Sequence, residues 1–240
     1  MDFTWHLMGC DNLHPTPAKL SEFYAHPVWL LNGLFTEQHD ASVQNREEFS
    51  DWVRTQSPKL VADFGGGFGT LARMVGKKCP DTDVHIIEPY PHPLALERLN
   101  GFPNVCYRDR LERAYDVIVA TDVFEHVIDP LAIVAEVSQS VRLGGKFLIA
   151  NCFYPVMACH LPRTFHFRFS WHIFMALLGF HPDQPVCYGW SYEKRKSVER
   201  KPAKIWEGAS RLLFPILTRS ARLASIADRF SLRLARERTG

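Results

Sequence analysis

The chain alternates between two spacings of apolar residues, and each change of spacing marks an element. A β-branched and aromatic run ends in Asp63, three glycines follow, and from Leu71 the apolar positions fall at helical intervals until Pro80-Asp81. This predicts a strand, a tight glycine turn and a helix over 68–78. DVHIIE, residues 83–88, predicts a second strand with an acidic tip, followed by a helix over 92–99 and a third strand over 104–107. YDVIVAT, residues 115–121, is nearly continuous apolar sequence, as a parallel strand buried on both faces should be. A helix over 130–141 stops at Leu143-Gly144-Gly145 and feeds a fifth strand over 146–151. Such alternation predicts an α/β fold with a doubly wound, mostly parallel sheet.

Both flanks read differently. Residues 1–57 are rich in aromatics and predict a helical cap, with one helix over 21–34 interrupted at Pro27 and a more amphipathic one over 41–54. Beyond Asn151, residues 152–168 combine aromatics, histidines, arginines and two prolines, which suits a lid over a pocket. A helix over 169–178 and a sixth strand over 186–190 follow. Residues 193–204 are highly charged with no evident strand, and 205–236 place apolar residues and arginines at helical spacing, with a kink or division expected at Pro215. The expected organisation is therefore a cap (1–57), a core (58–192) and a basic helical extension (193–240). A basic amphipathic helix packs on its own domain, rests on an anionic membrane or pairs with another chain.

Composition narrows the classes. With 240 residues, 46% of them hydrophobic, the chain can bury a full core. A net charge of +2 gives no global field for nucleic acid. The six cysteines include no C-x-x-C pair, which argues against zinc and a disulfide framework and fits reduced thiols in the cytoplasm. The amino-terminal MDFTWHLMGCDN does not resemble a secretory signal, and no apolar stretch is long enough to span a bilayer.

Glycines at a strand end let the backbone approach a ligand, and the helix that follows aims amide donors at the same spot. The dinucleotide fingerprint G-x-G-x-x-G, started at Gly65, wants glycine where Thr70 stands, and Asp63 is awkward beside a pyrophosphate. A ligand with a cationic amino and sulfonium group would welcome that carboxylate. D-F-G-G-G-F-G resembles the first motif of the class I S-adenosylmethionine-dependent methyltransferases. Asp122-Val-Phe-Glu125-His126, running to Asp129-Pro130, resembles their fourth motif. The resemblance covers about Leu60 to Asn151. It implies a seven-stranded-type sheet of Rossmann-like form and S-adenosylmethionine held by Asp63, Gly65, Gly66, Gly67, Glu88, Asp109, Thr121 and Asp122. Glu88 would accept the ribose hydroxyls and Asp109 the adenine amino group. Such relatives finish their sheet with an antiparallel hairpin, for which the charged run after residue 192 offers no obvious strand.

Methyl transfer from a sulfonium is an in-line displacement, so alignment supplies much of the catalysis. For a hydroxyl acceptor a base is useful. His126 is the preferred base, because imidazole titrates near working pH, and His166 on the proposed lid is the second candidate. Asp122, Glu125 and His126 look like the E-x-x-E-H of quinone-biosynthesis O-methyltransferases, which can hold a divalent cation; with aspartate shortening the first arm, no metal is expected. The expected enzyme methylates a small-molecule hydroxyl, in the cytoplasm and without a nucleic-acid partner. An NAD-binding oxidoreductase and a non-catalytic methyltransferase-fold subunit are the alternatives.

Overall fold

Alternate residues of the central strands face opposite layers, and that alternation builds the molecule. The computed structural model describes residues 1–112, 114–197 and 201–239. Within them one seven-stranded sheet has the order β3-β2-β1-β4-β5-β7-β6. Its strands are β1 (Leu60–Phe64), β2 (Asp83–Ile87), β3 (Val105–Arg108), β4 (Tyr115–Thr121), β5 (Val141–Ala150), β6 (Phe180–Val186) and β7 (Gly189–Lys194). The first five pair in parallel, and β7 runs antiparallel between β5 and β6.

Four helices precede the sheet: α1 (Asp2–Leu7), α2 (Pro17–Tyr24), α3 (Val28–Gln38) and α4 (Asp40–Thr55). The crossovers carry α5 (Thr70–Lys78), α6 (Pro93–Glu97) and α7 (Pro130–Ser140). α8 (Trp171–Leu177) leads into β6, and α9 (Lys201–Thr218) and α10 (Ala221–Thr239) follow β7. Local chemistry sets the starts. Thr16 accepts from the Lys19 amide ahead of Pro17, and Asp129 accepts from the Ala132 amide at 3.1 Å ahead of Pro130.

Val61, Val117, Val119 and Leu148 pack on one sheet face against Leu71 and Val75 of α5 and Phe49 and Trp52 of α4. Ala62, Ile118, Ala120, Phe147 and Ile149, their neighbours in sequence, face the other layer, with Leu131 and Val134 of α7 and Phe174 of α8. A third cluster lies off the sheet, where Trp5, Leu20 and Phe23 meet Cys159 and Leu161. Asp2 accepts from the Ala158 amide and Asn12 donates to the Ala158 carbonyl, each at 3.0 Å, so the amino-terminal helices and the segment after β5 are joined.

Several expectations change. The helix of 21–34 is two helices, because Pro27 precedes a fresh start at Val28. α4 is part of the sheet's packing, so the cap boundary at 57 cuts through a core layer. Of the stretch expected to form a lid, 152–168, the part from Pro162 belongs to a 3-10 helix, Pro162–Phe169, whose Thr164, Phe165, His166 and Phe167 are buried. The single sixth strand is a hairpin of β6 and β7, and the boundary at 193 falls inside β7. Residues 198–200 of the charged run, and residue 240, lie outside the described residues. The basic helix divides around Arg219 and Ser220, leaving Pro215 within α9.

Candidate functional site

β1, β2 and β3 build outward on one side of the sheet and β4 and β5 on the other. The switch point therefore lies between β1 and β4, where open α/β sheets form a crevice. A cavity of about 740 Å³ opens there.

Its floor is the glycine turn. Gly65 and Gly67 have φ of +70° and +50°, which the turn requires. A Cβ at Gly65 would stand 2.7 Å from Val123, and one at Gly66 would stand 2.7 Å from the Asp63 carboxyl, so the turn has no room for side chains there. Asp63 sits near the end of β1, fully enclosed. Burial pushes its carboxyl up to about 7 against the attraction of Arg46, and its Oδ2 has no hydrogen-bond partner among the described residues. Glu88, one residue past β2, accepts from the Gly67 amide at 3.2 Å and the Tyr90 amide at 3.1 Å, while burial raises its pKa. Tyr107 of β3 donates to the Gly67 carbonyl at 2.9 Å. Asp109 is on the exposed rim.

The opposite wall begins at the tip of β4. Thr121 lines the cavity, and Asp122 follows with φ of +54°, a left-handed conformation that strains a side-chain-bearing residue. Its amide donates to Ala150 at 2.7 Å, and its carboxylate accepts from Tyr188 Oη at 2.9 Å. Burial pushes the Asp122 carboxyl up, and the Tyr188 bond opposes that. Glu125 is completely buried; its Oε1 accepts from the Cys152 amide at 2.7 Å and its Oε2 has no partner among the described residues. Burial and then the Asp122 charge hold Glu125 well above the usual carboxylate range.

Two imidazoles stand beside it. A carbonyl only accepts, so the contact of His126 Nδ1 with Cys159 O (3.3 Å) and that of His160 Nδ1 with Tyr154 O (2.6 Å) put the proton on Nδ1 in both rings. In the neutral form of either ring, Nε2 then carries the lone pair. The rings meet edge to face at 4.7 Å, and Tyr24 and Trp29 pack on His126 from the amino-terminal helices. Glu125, His126 and His160 offer one ligand atom apiece within 4.8 Å of one another, a spacing that suits a cation as well as a proton.

Asp63, Gly65, Gly66, Gly67, Glu88, Asp109, Thr121, Asp122 and His126 all line this one cavity. His166 does not. It is buried under α9, with Nδ1 2.9 Å from Ser210 Oγ and Nε2 3.9 Å from Glu207, and burial pushes it down to about 3. His126 also departs from expectation: burial, then His160, pushes it down to about 3, so it does not titrate near working pH. Two lining residues, Arg46 and Tyr188, were not read from sequence, and His160 was read only as one residue of the expected lid. Arg46 sits on the polar side of α4, where nothing distinguishes it from a solvated arginine. His160 belongs to an irregular stretch, and Tyr188 to a hairpin turn hidden with its strands.

Residues 62–147 match the family described as a methyltransferase domain. Two ubiquinone biosynthesis O-methyltransferases are similar. The one from Nitrosomonas europaea is 26% identical over 149 residues, covering 58% of this chain and 63% of its own length. The one from Aliivibrio fischeri is 26% identical over 151 residues, covering 58% and 64%. The chain thus spans just under two thirds of these relatives. Among solved structures, an O-methyltransferase family protein from Burkholderia thailandensis is 18% identical with a TM-score of 0.42, covering 67% of this chain and 62% of that one.

Proposed function

Because this chain carries a class I S-adenosylmethionine-dependent methyltransferase domain, we propose that it binds S-adenosylmethionine along the glycine turn and methylates a hydroxyl of a small molecule. One observation carries the reading: the bare glycine floor, the buried carboxyl groups of Asp63 and Glu125 and two imidazoles whose Nδ1 atoms face carbonyls line a single cavity. The orphaned Asp63 Oδ2 fits an ammonium or sulfonium ligand, since burial without a partner is what such a cation relieves. Arg46 suits the carboxylate of the same amino-acid end. Glu88 keeps lone pairs for the ribose hydroxyls, and Asp109 on the rim suits the adenine amino group.

When bound, S-adenosylmethionine supplies a methyl group on a positively charged sulfur. The protein's part is to align and to take a proton. Tyr24 and Trp29 wall the far end with aromatic faces and suit a planar ring, and the names of the similar relatives support a hydroxyl on it. As the acceptor oxygen gains its bond to carbon, its proton passes to an imidazole Nε2 and later to water. A ring as averse to charge as His126 is a poor proton sink, so His160 holds the proton, with His126 positioning it edge to face. No step uses a metal.

Titration calorimetry with S-adenosylhomocysteine and NADH tests the cofactor, and mass spectrometry of phenolic acceptors with labelled methyl donor tests the transfer. Tight binding of S-adenosylhomocysteine alone, with one methyl gained per acceptor, is the expected result. Binding of NADH instead would leave the oxidoreductase reading, and binding of S-adenosylhomocysteine without transfer the non-catalytic one. His160→Ala should lower kcat about a hundredfold with cofactor affinity nearly unchanged.

A further inference from the structure

α9 and α10 turn apolar residues toward solvent, the reverse of what a helix packed on a globular core does. The inner side of α9 is Ala203, Glu207 and Ser210, while its outer side carries Ile205, Leu212 and Ile216, exposed by 78%, 79% and 53%. Spacings of seven and four place these three in one stripe. In α10, Leu223, Ile226 and Phe230 form another exposed stripe, and Arg222, Arg229 and Arg233 run beside it at the same helical spacing. Residues 201–239 hold nine lysines and arginines against three acids, a net +6 in a chain of net +2, so the remainder is negative.

We propose that this helix pair is a peripheral membrane anchor that lies flat on a bilayer bearing anionic phospholipid. Ile205, Leu212, Ile216 and Phe230 enter the acyl boundary, and the arginines meet the headgroup phosphates. Among the described residues no helix is long and apolar enough to cross a membrane, which makes the contact one with a single leaflet. Charge chooses lipid over a second copy of the chain: pairing two copies through this face sets +6 against +6, whereas a phosphate surface neutralises it. The anchor does not rest on the methyl-transfer reading, and its test reads vesicle binding alone.

The full chain is co-sedimented with phosphatidylcholine vesicles, with and without about one third phosphatidylglycerol, at low salt. Partition into the anionic vesicles should be at least about tenfold greater and should fall about tenfold when salt is raised to roughly 0.5 M. L212Q/I216Q and R222Q/R229Q should each lose about tenfold of that partition with an unchanged urea midpoint, because all four side chains are exposed. No binding, or equal binding to neutral and anionic vesicles, overturns the proposal. So does a doubled mass in light scattering that L212Q/I216Q restores to a monomer. The salt titration of the unaltered protein decides the matter even where a variant fails to fold.

Discussion

Asp63 concentrates the chemistry of the cavity in one side chain. Its carboxyl, raised by burial to about 7, contributes stability that is present below the unfolded value near 3.9 and is lost as pH rises to about 7. A cation bound beside it should pull that pKa down. Titrating the protein with S-adenosylhomocysteine at pH 6 in buffers of different ionisation enthalpy should therefore show net proton release, and Asp63→Asn should remove most of it. Equal heats in all buffers would mean that the bound ligand leaves this carboxyl untouched. Asp63, Glu88 and the glycines were legible because strand tips and residues without Cβ announce themselves locally. The state of His126 was not, since the groups that bury it, Tyr24, Trp29 and Cys159, come from remote parts of the chain. His166 misled for the same reason: its partners are on α9.

At the scale of elements, the parallel half of the sheet followed from alternation, and the hairpin escaped it. β6 carries Pro182 and Pro185, tolerable because it is the sheet edge, and prolines argue against a strand when sequence alone is read. β7 ends in Glu193 and Lys194, which look like solvated charge. In the fold, Lys146 bridges Glu193 and Asp183 at 3.0 Å each, and Lys194 is buried, donating to the Ser138 and Val141 carbonyls at the end of α7. Lys194 thus ties β7 to the end of α7, where Ser140 passes directly into β5 and the expected glycine stop, Gly144-Gly145, lies inside that strand. Lys194→Met should cost about 1–3 kcal/mol in urea unfolding, through two carbonyls deprived of their donor, with methyl-donor affinity unchanged. A stability loss under about 0.5 kcal/mol would show water replacing the ammonium at no cost.

Across the molecule, burial fixes the protonation of groups far apart. His126, His166 and His172, in the cavity wall, under α9 and behind β7, are pushed down to about 3, 3 and 4. Each contributes stability that is present above the unfolded value near 6.5 and is lost as pH falls through that value toward 3 or 4. Asp63, Glu88, Asp122 and Glu125 act oppositely, because burial raises each of these carboxyls. The two sets offset, so the urea midpoint should differ little between pH 5 and pH 7.5, and His166→Gln should raise the midpoint at pH 5 relative to that at pH 7.5. A pH dependence that His166→Gln leaves unchanged would mean that the folded imidazole accepts a proton freely.

The joint between Asp2, Asn12 and Ala158 has an engineering consequence. The end of the cavity proposed for the acceptor is walled by residues 24–29 and by residues 152–160, two stretches that Trp5, Phe23 and Leu161 lock into one block. A chimera that borrows only the later stretch from a relative would inherit half a mould. To carry substrate preference across, the graft has to bring both stretches together.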